Sequence, residues 1–234
     1  MRDSLEVEIV RVRQENPEVK TLYFARPFDF AAGQYITVFI DGSSVREGKA
    51  YSISSTPDDE LMSITVKNVG GEFSSYLCSR NVGDKLQISH AYGDFNPQTE
   101  SPLVGIAAGC GLSPIWSVMA SSSQPTFLYF SQKSPEYMVF GNELAASNIK
   151  VKKFSTRQQV EEKDGWFNGR FNVEKIVHET PEDVHFLVCG SLPFVRDVWQ
   201  KLSAAGVSEL KISTETFFER SEEHTSELQS HSEI

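Results

Sequence analysis

Apolar and polar positions alternate in short runs through the first part of the chain. Residues 5–12, 21–24, 34–40, 50–53, 61–69 and 85–89 each read as a strand with one apolar face. Turn-forming residues separate them: Gly33, Asp41-Gly42, Pro57-Asp58, Gly70-Gly71 and Gly83-Asp84. Short strands punctuated in this way predict a six-stranded antiparallel barrel, interrupted by one helix over residues 74–80. From Pro102 the pattern changes. Apolar runs at 103–108, 126–130, 149–154 and 184–188 alternate with helix-like stretches at 115–120, 136–146 and 193–205, and residues 210–212 read as a last strand. Strands alternating with helices predict a parallel sheet covered on both faces. The polar, proline-containing stretch 96–101 separates the two patterns. The expected organisation is a barrel domain over residues 1–98 and an α/β domain over 101–219.

Composition narrows the class. The 234 residues contain no apolar run of membrane-spanning length and no charged-then-apolar leader after Met1. Cys78, Cys110 and Cys189 are far apart and form no Cys-x-x-Cys, so neither a disulfide framework nor a metal site is legible. A reducing, cytoplasmic setting is expected. A net charge of -10 argues against nucleic acid as a partner. Residues 220–234 are polar, without an apolar period. The run RSEEHTSELQSH from Arg220 to His231 resembles the in-frame translation of a sequencing adapter. The expectation is an artefactual tail replacing native sequence beyond Glu219.

Four short stretches carry candidate chemistry. Lys49-Ala50-Tyr51-Ser52 brings a cation, an aromatic ring and a hydroxyl into one strand, a set suited to the phosphate and the planar ring of a nucleotide. Gly70-Gly71-Glu72-Phe73-Ser74 places glycines before a helix start, where free N–H groups can hold a pyrophosphate, with Ser74 as the expected cap. Gly109-Cys110-Gly111-Leu112-Ser113-Pro114 follows a strand and opens a helix, the context a dinucleotide requires. Cys189-Gly190-Ser191 ends an apolar strand, where ligands of open parallel sheets sit. Nothing near Cys189 in sequence marks an activated thiolate.

Together these stretches resemble the ferredoxin–NADP reductase family, over residues 5–219. Lys49-x-Tyr51-Ser52 is similar to its Arg-x-Tyr-Ser flavin motif, with Lys for Arg. Gly71-x-x-Ser74-x-x-Leu77 is similar to its phosphate element, and Gly109-x-Gly111-Leu112-Ser113-Pro114 to its nicotinamide loop. Cys189-Gly190 stands where the family has Cys-Gly-Pro, here with Ser191. The resemblance implies FAD bound by Lys49, Tyr51, Ser52 and Gly71 with the flanking Ile53, Val66, Lys67, Phe73 and Ser74. It implies NADP or NAD bound by residues 109–114, Cys189 and Gly190. Thr156-Arg157, with Lys133, is the expected contact for a 2′-phosphate and so for a preference for NADP. Glu215-Thr216-Phe217-Phe218 resembles the family's aromatic ending, with Phe217 close to the flavin. Ser52, Cys189 and Glu215 are the implied catalytic residues, Ser52 facing the flavin N5. The implied reaction is hydride transfer from NAD(P)H to FAD, then electron delivery to a ferredoxin-like, iron–sulfur or oxygenase acceptor. A free-flavin reductase and a non-catalytic electron-relay subunit remain as alternatives.

Overall fold

A computed structural model describes residues 4–217; Phe218 and the tail at 220–234 lie outside the described residues. The barrel is built from β1 (Leu5–Asn16), β2 (Val19–Ala25), β3 (Tyr35–Phe39), β4 (Lys49–Ser52), β5 (Leu61–Lys67), the helix α1 (Glu72–Ser79) and β6 (Lys85–Ile88). The strands run in the order β4-β3-β6-β1-β2-β5, each antiparallel to its neighbours. The ends of this sheet meet through a bridge between Ile53 and Ile64, with Ser54 N–H donating to the Ser63 carbonyl. Closure pairs edge groups that an open sheet would leave unsatisfied. Inward-facing Ile9, Leu22, Phe24, Ile36 and Met62 fill the interior, and Leu77 of α1 packs onto this core.

The second half contains β7 (Leu103–Ala108), α2 (Leu112–Ala120), β8 (Thr126–Gln132), α3 (Gly141–Ala146), β9 (Lys150–Ser155), β10 (Trp166–Asn168), α4 (Val173–Glu179), β11 (His185–Ser191), α5 (Leu192–Ala204) and β12 (Ile212–Phe217). Among the described residues these strands form one parallel sheet in the order β10-β9-β8-β7-β11-β12. One apolar layer packs under α2 and another under α4 and α5, so both faces are covered. The chain leaves β7 toward β8 and later returns to its other side as β11. The loop after β7 therefore sits at the switch point where open α/β sheets bind ligands. No helix among the described residues is long and apolar enough to cross a membrane.

Three expectations require correction. The helix expected over residues 136–146 is broken: Pro135–Tyr137 is a single 3-10 turn, Phe140 takes a left-handed conformation at φ 54°, and α3 starts only at Gly141. A left-handed non-glycine residue costs about 1–2 kcal/mol. Here Phe140 is buried, stacks on Trp116 at 6.1 Å and donates its N–H to Glu15 Oε2 at 3.4 Å, so tertiary contacts override local preference. The last strand is not 210–212: Glu209–Lys211 is a 3-10 turn and β12 runs through the polar, β-branched stretch after it. β10 and α4 were not anticipated. Three residues are too short for a period, and α4 is announced chiefly by Asn172, whose side chain accepts from Lys175 N–H as its cap.

The two halves pack directly against each other. Val19, Ala32 and Phe95 of the first half join the apolar layer around α2. Ser117 on α2 donates its hydroxyl to the Ser55 carbonyl at 2.7 Å.

Candidate functional site

β4 stands at one end of the barrel's strand order, beside β3, and its last residue, Ser52, reaches the parallel sheet. Its exposed Lys49 lies with Nζ 5.6 Å from the Phe73 ring and makes no ion pair among the described residues. Tyr51 is half-buried on the barrel core, and burial raises its hydroxyl pKa, so the ring stays neutral. Ser52 is buried. Ile53 and Val66, expected beside the flavin, are buried in the barrel interior; only their main chains are available to a ligand. Phe73 is likewise buried, and Lys67 ends β5 with its ammonium 4.0 Å from Glu18.

Ser74 is not the cap of α1. The helix begins at Glu72 and the capping position is Gly71, in an extended conformation without a side-chain bond to the first turn. Ser74 instead donates its hydroxyl to the Gly71 carbonyl at 3.1 Å and accepts from Val69 N–H at 3.3 Å, which ties the loop to the helix. The first-turn amides consequently have no capping side chain, which leaves donors for an anion. The one carboxylate in that turn, on Glu72, accepts from the Ser43 hydroxyl at 3.0 Å.

On the sheet side, β7 ends in a 3-10 turn over Gly109–Gly111, with Gly109 at φ 57°, and α2 follows at once. Gly111 is required by packing: a Cβ there would come within 2.2 Å of the Cys189 carbonyl oxygen. The loop is thereby pressed onto β11. Leu112 and Pro114 are buried in the α2 layer, whereas the Ser113 hydroxyl is buried with no partner. A buried hydroxyl without a partner is rare and marks a place where a polar ligand fits. The loop geometry, the uncapped helix start and this hydroxyl all suit a dinucleotide, and the bare α1 amides beside Lys49 suit a pyrophosphate.

The halves also meet where β11 and β12 face the barrel. Cys189 on β11 lies in register with Glu215 on β12, and Ser52 of the barrel donates its hydroxyl to Glu215 Oε1. Burial pushes the Glu215 carboxyl up to about 7, although the Ser52 hydrogen bond pulls the other way. Burial, and Glu215 beside it, hold the Cys189 thiol well above its ordinary range, so it is a neutral thiol. Gly190 lies against the Phe194 ring, and Phe217 ends β12 opposite Ser191, partly buried against the α2 layer. Glu215 and Phe217 thus lie within the edge strand, not beyond it.

Two of the three residues expected at a 2′-phosphate are otherwise engaged. Lys133 Nζ donates to both carboxylate oxygens of Glu18, at 2.7 and 2.9 Å. Thr156 donates its hydroxyl to the Gln132 carbonyl at 2.9 Å. Arg157 is exposed and makes no ion pair among the described residues. The partners Glu18 and Ser55 were missed because nothing local in the sequence signals a contact across the two halves.

Residues 7–96 match the oxidoreductase FAD-binding domain, and residues 106–200 match the oxidoreductase NAD-binding domain. A flavohemoprotein of Rhizobium meliloti is 28% identical over 238 residues, covering 88% of this chain and 59% of that protein. The ferredoxin reductase component of a 3-ketosteroid-9-alpha-monooxygenase of Mycobacterium tuberculosis is 27% identical over 238 residues, covering 91% of this chain and 65% of that protein. The chain therefore spans less than two thirds of these relatives. Its fold is that of a ferredoxin NADP+ reductase from Neisseria gonorrhoeae solved with bound FAD and NADP, at TM-score 0.76 and 22% identity, over 92% of this chain and 99% of that one.

Proposed function

The chain belongs to the ferredoxin–NADP reductase family, with an FAD-binding domain followed by an NAD-binding domain, and from that premise we propose that it is a reductase that takes hydride from NAD(P)H onto FAD and passes electrons to an acceptor. The observation that carries the reading is the meeting of Ser52, from the barrel, with Glu215 and Cys189, from adjacent strands of the sheet. FAD, when bound, supplies the step from two-electron donors to one-electron acceptors. Lys49 and the bare first turn of α1 would hold its pyrophosphate. Tyr51 and Phe217 would flank its ring, and residues 109–114 would hold the nicotinamide dinucleotide. The Ser52–Glu215 pair would hold a proton at the junction, with Ser52 buried and Glu215 partly buried. Cys189 fills space as a neutral thiol and carries no nucleophilic role.

The same reading favours NADH over NADPH. Lys133 serves Glu18 and Thr156 serves Gln132, so Arg157 is the cation that remains for a 2′-phosphate. We take the acceptor to be a ferredoxin-like or oxygenase partner, in line with a relative that is the ferredoxin reductase component of a monooxygenase. A cytoplasmic setting belongs to this proposal too, and Cys78, Cys110 and Cys189, all free thiols, support it. The test is the visible spectrum of purified protein under anaerobic conditions. A flavin spectrum that bleaches with NADH, and more slowly with NADPH, is expected. A dialysed protein that loses all colour points to the free-flavin alternative; bound FAD that neither nucleotide reduces removes the reductase reading.

A further inference from the structure

At the turn between β1 and β2 the barrel reaches across to the other half, and nearly every polar side chain there is used. Arg13 Nη1 donates to Glu143 Oε1, and Arg13 Nε donates to Glu15 Oε1 at 2.6 Å. Glu15 Oε2 accepts from the N–H of the left-handed Phe140. Asn16 Nδ2 donates to the Tyr137 carbonyl at 3.1 Å, and Glu18 takes both bonds from Lys133. Residues 13–18 thus bind residues 133–143 through four separate points, and the break in the expected helix at Phe140 lies in the middle of them. We propose that this turn is a charged clasp that sets the angle between the two domains, and that Glu18 and Lys133 are positioning residues for hydride transfer.

The need for such a device follows from the junction. Ser52 is 5% exposed and Cys189 0%, and Ser52 already touches Glu215. A nicotinamide ring enters between the halves only if that seam parts. A clasp that stays closed while the seam opens lets the halves separate and return to one geometry. Hydride transfer depends steeply on that geometry: a 1 Å misplacement costs on the order of 10²-fold in rate. The two ion pairs of the clasp, Arg13–Glu143 and Lys133–Glu18, join side chains about one third exposed, so salt weakens them without abolishing them.

This inference rests on the reductase reading, and its test separates the two. Glu18→Gln, Lys133→Met and the double variant are compared with the wild type by scanning calorimetry and by anaerobic stopped-flow reduction with NADH and with NADPH. A working clasp gives one melting transition in the wild type and two in the variants. It also gives reduction rates at saturating nucleotide lower by about 10-fold with either nucleotide, and a double variant little worse than either single one, since paired groups are not additive. A wild type that already melts in two steps, or variants that keep one transition and full rates, overturns the clasp. So does a Lys133→Met variant that loses affinity for NADPH alone, because Lys133 is then a phosphate ligand. The calorimetric result stands whether or not nucleotide reduces the protein, whereas an unreduced wild type overturns the reductase reading by itself.

Discussion

Two sets of carboxylates lie along the same boundary in opposite surroundings. Glu15 and Glu18, at the β1–β2 turn, each face a cation: Arg13 for the first, Lys133 and Lys67 for the second. Glu215, at the junction, faces a hydroxyl and a thiol and is partly buried. Burial without a cation favours the neutral form of a carboxyl group. The surroundings of Glu215 suit a group that holds or releases a proton near neutral pH. Those of Glu15 and Glu18 suit a group that only has to pull. The same residue type is thus made chemical at one place and mechanical at another by its neighbours alone.

The sharpest way to expose this contrast is pH. An isolated Glu ionises near 4.5, and Glu215 in the folded protein near 7. Between those values the folded protein binds one more proton than the unfolded chain, so this group makes stability fall as pH rises from about 4.5 to about 7 and stay level above. The window corresponds to about 3 kcal/mol at 1.36 kcal/mol per pH unit. Glu215→Gln should lose that part of the slope in urea unfolding measured at several pH values, while Glu18→Gln should keep it. Equal slopes in wild type and Glu215→Gln would show that the carboxyl is not held neutral.

The junction can also be broken by a wedge. Gly111→Ala forces a Cβ against the Cys189 carbonyl and should cost about 2–3 kcal/mol by overpacking, read as a fall in thermal midpoint. Gly109→Ala has open space around it and only a left-handed backbone to satisfy, so it should cost about 1–2 kcal/mol. Similar costs at the two glycines would remove the close-packing account of the loop. At the flavin end, Lys49→Ala should weaken FAD binding by about 1.5–3 kcal/mol, one charge-assisted contact, with Lys49→Arg restoring it. Titration of apoprotein with FAD measures both, and unchanged affinity in Lys49→Ala takes Lys49 out of the site. The smallest effect belongs to the charged turn. Raising salt toward 1 M shortens screening to about 3 Å and should lower wild-type stability by under about 1 kcal/mol, with a smaller change in Lys133→Met. Equal salt responses in the two proteins would leave the Lys133–Glu18 bond without a measurable share.

Both sheets were legible in the sequence because each is written in a local period. Alternation with glycine turns announces the barrel, and apolar runs between helices announce the parallel sheet. The failures fall where a distant contact outweighs a local preference. Phe140 leaves the helix because Trp116 and Glu15 hold it, and β12 forms from a polar stretch because β11 offers an edge to pair with. The site divides in the same way. Ser52, Cys189 and Glu215 were marked by short motifs, whereas Glu18 carries no mark and Lys133, 115 residues away, was marked for a phosphate and not for Glu18. Ser74 was marked, but for a cap that Gly71 provides by its backbone alone.

The order of the parallel sheet also bears on how the protein is made. β7 pairs with β8 soon after both leave the ribosome, but its other side waits for β11. At the usual 5–20 residues per second, the roughly 80 residues between them take about 4–16 s to synthesise. For that interval Leu103–Ala108, wholly apolar apart from Gly105, presents an unpaired edge of the kind that recruits other chains. Nascent chains stalled before His185 should therefore aggregate or engage chaperones, and those carried past Ser191 should not.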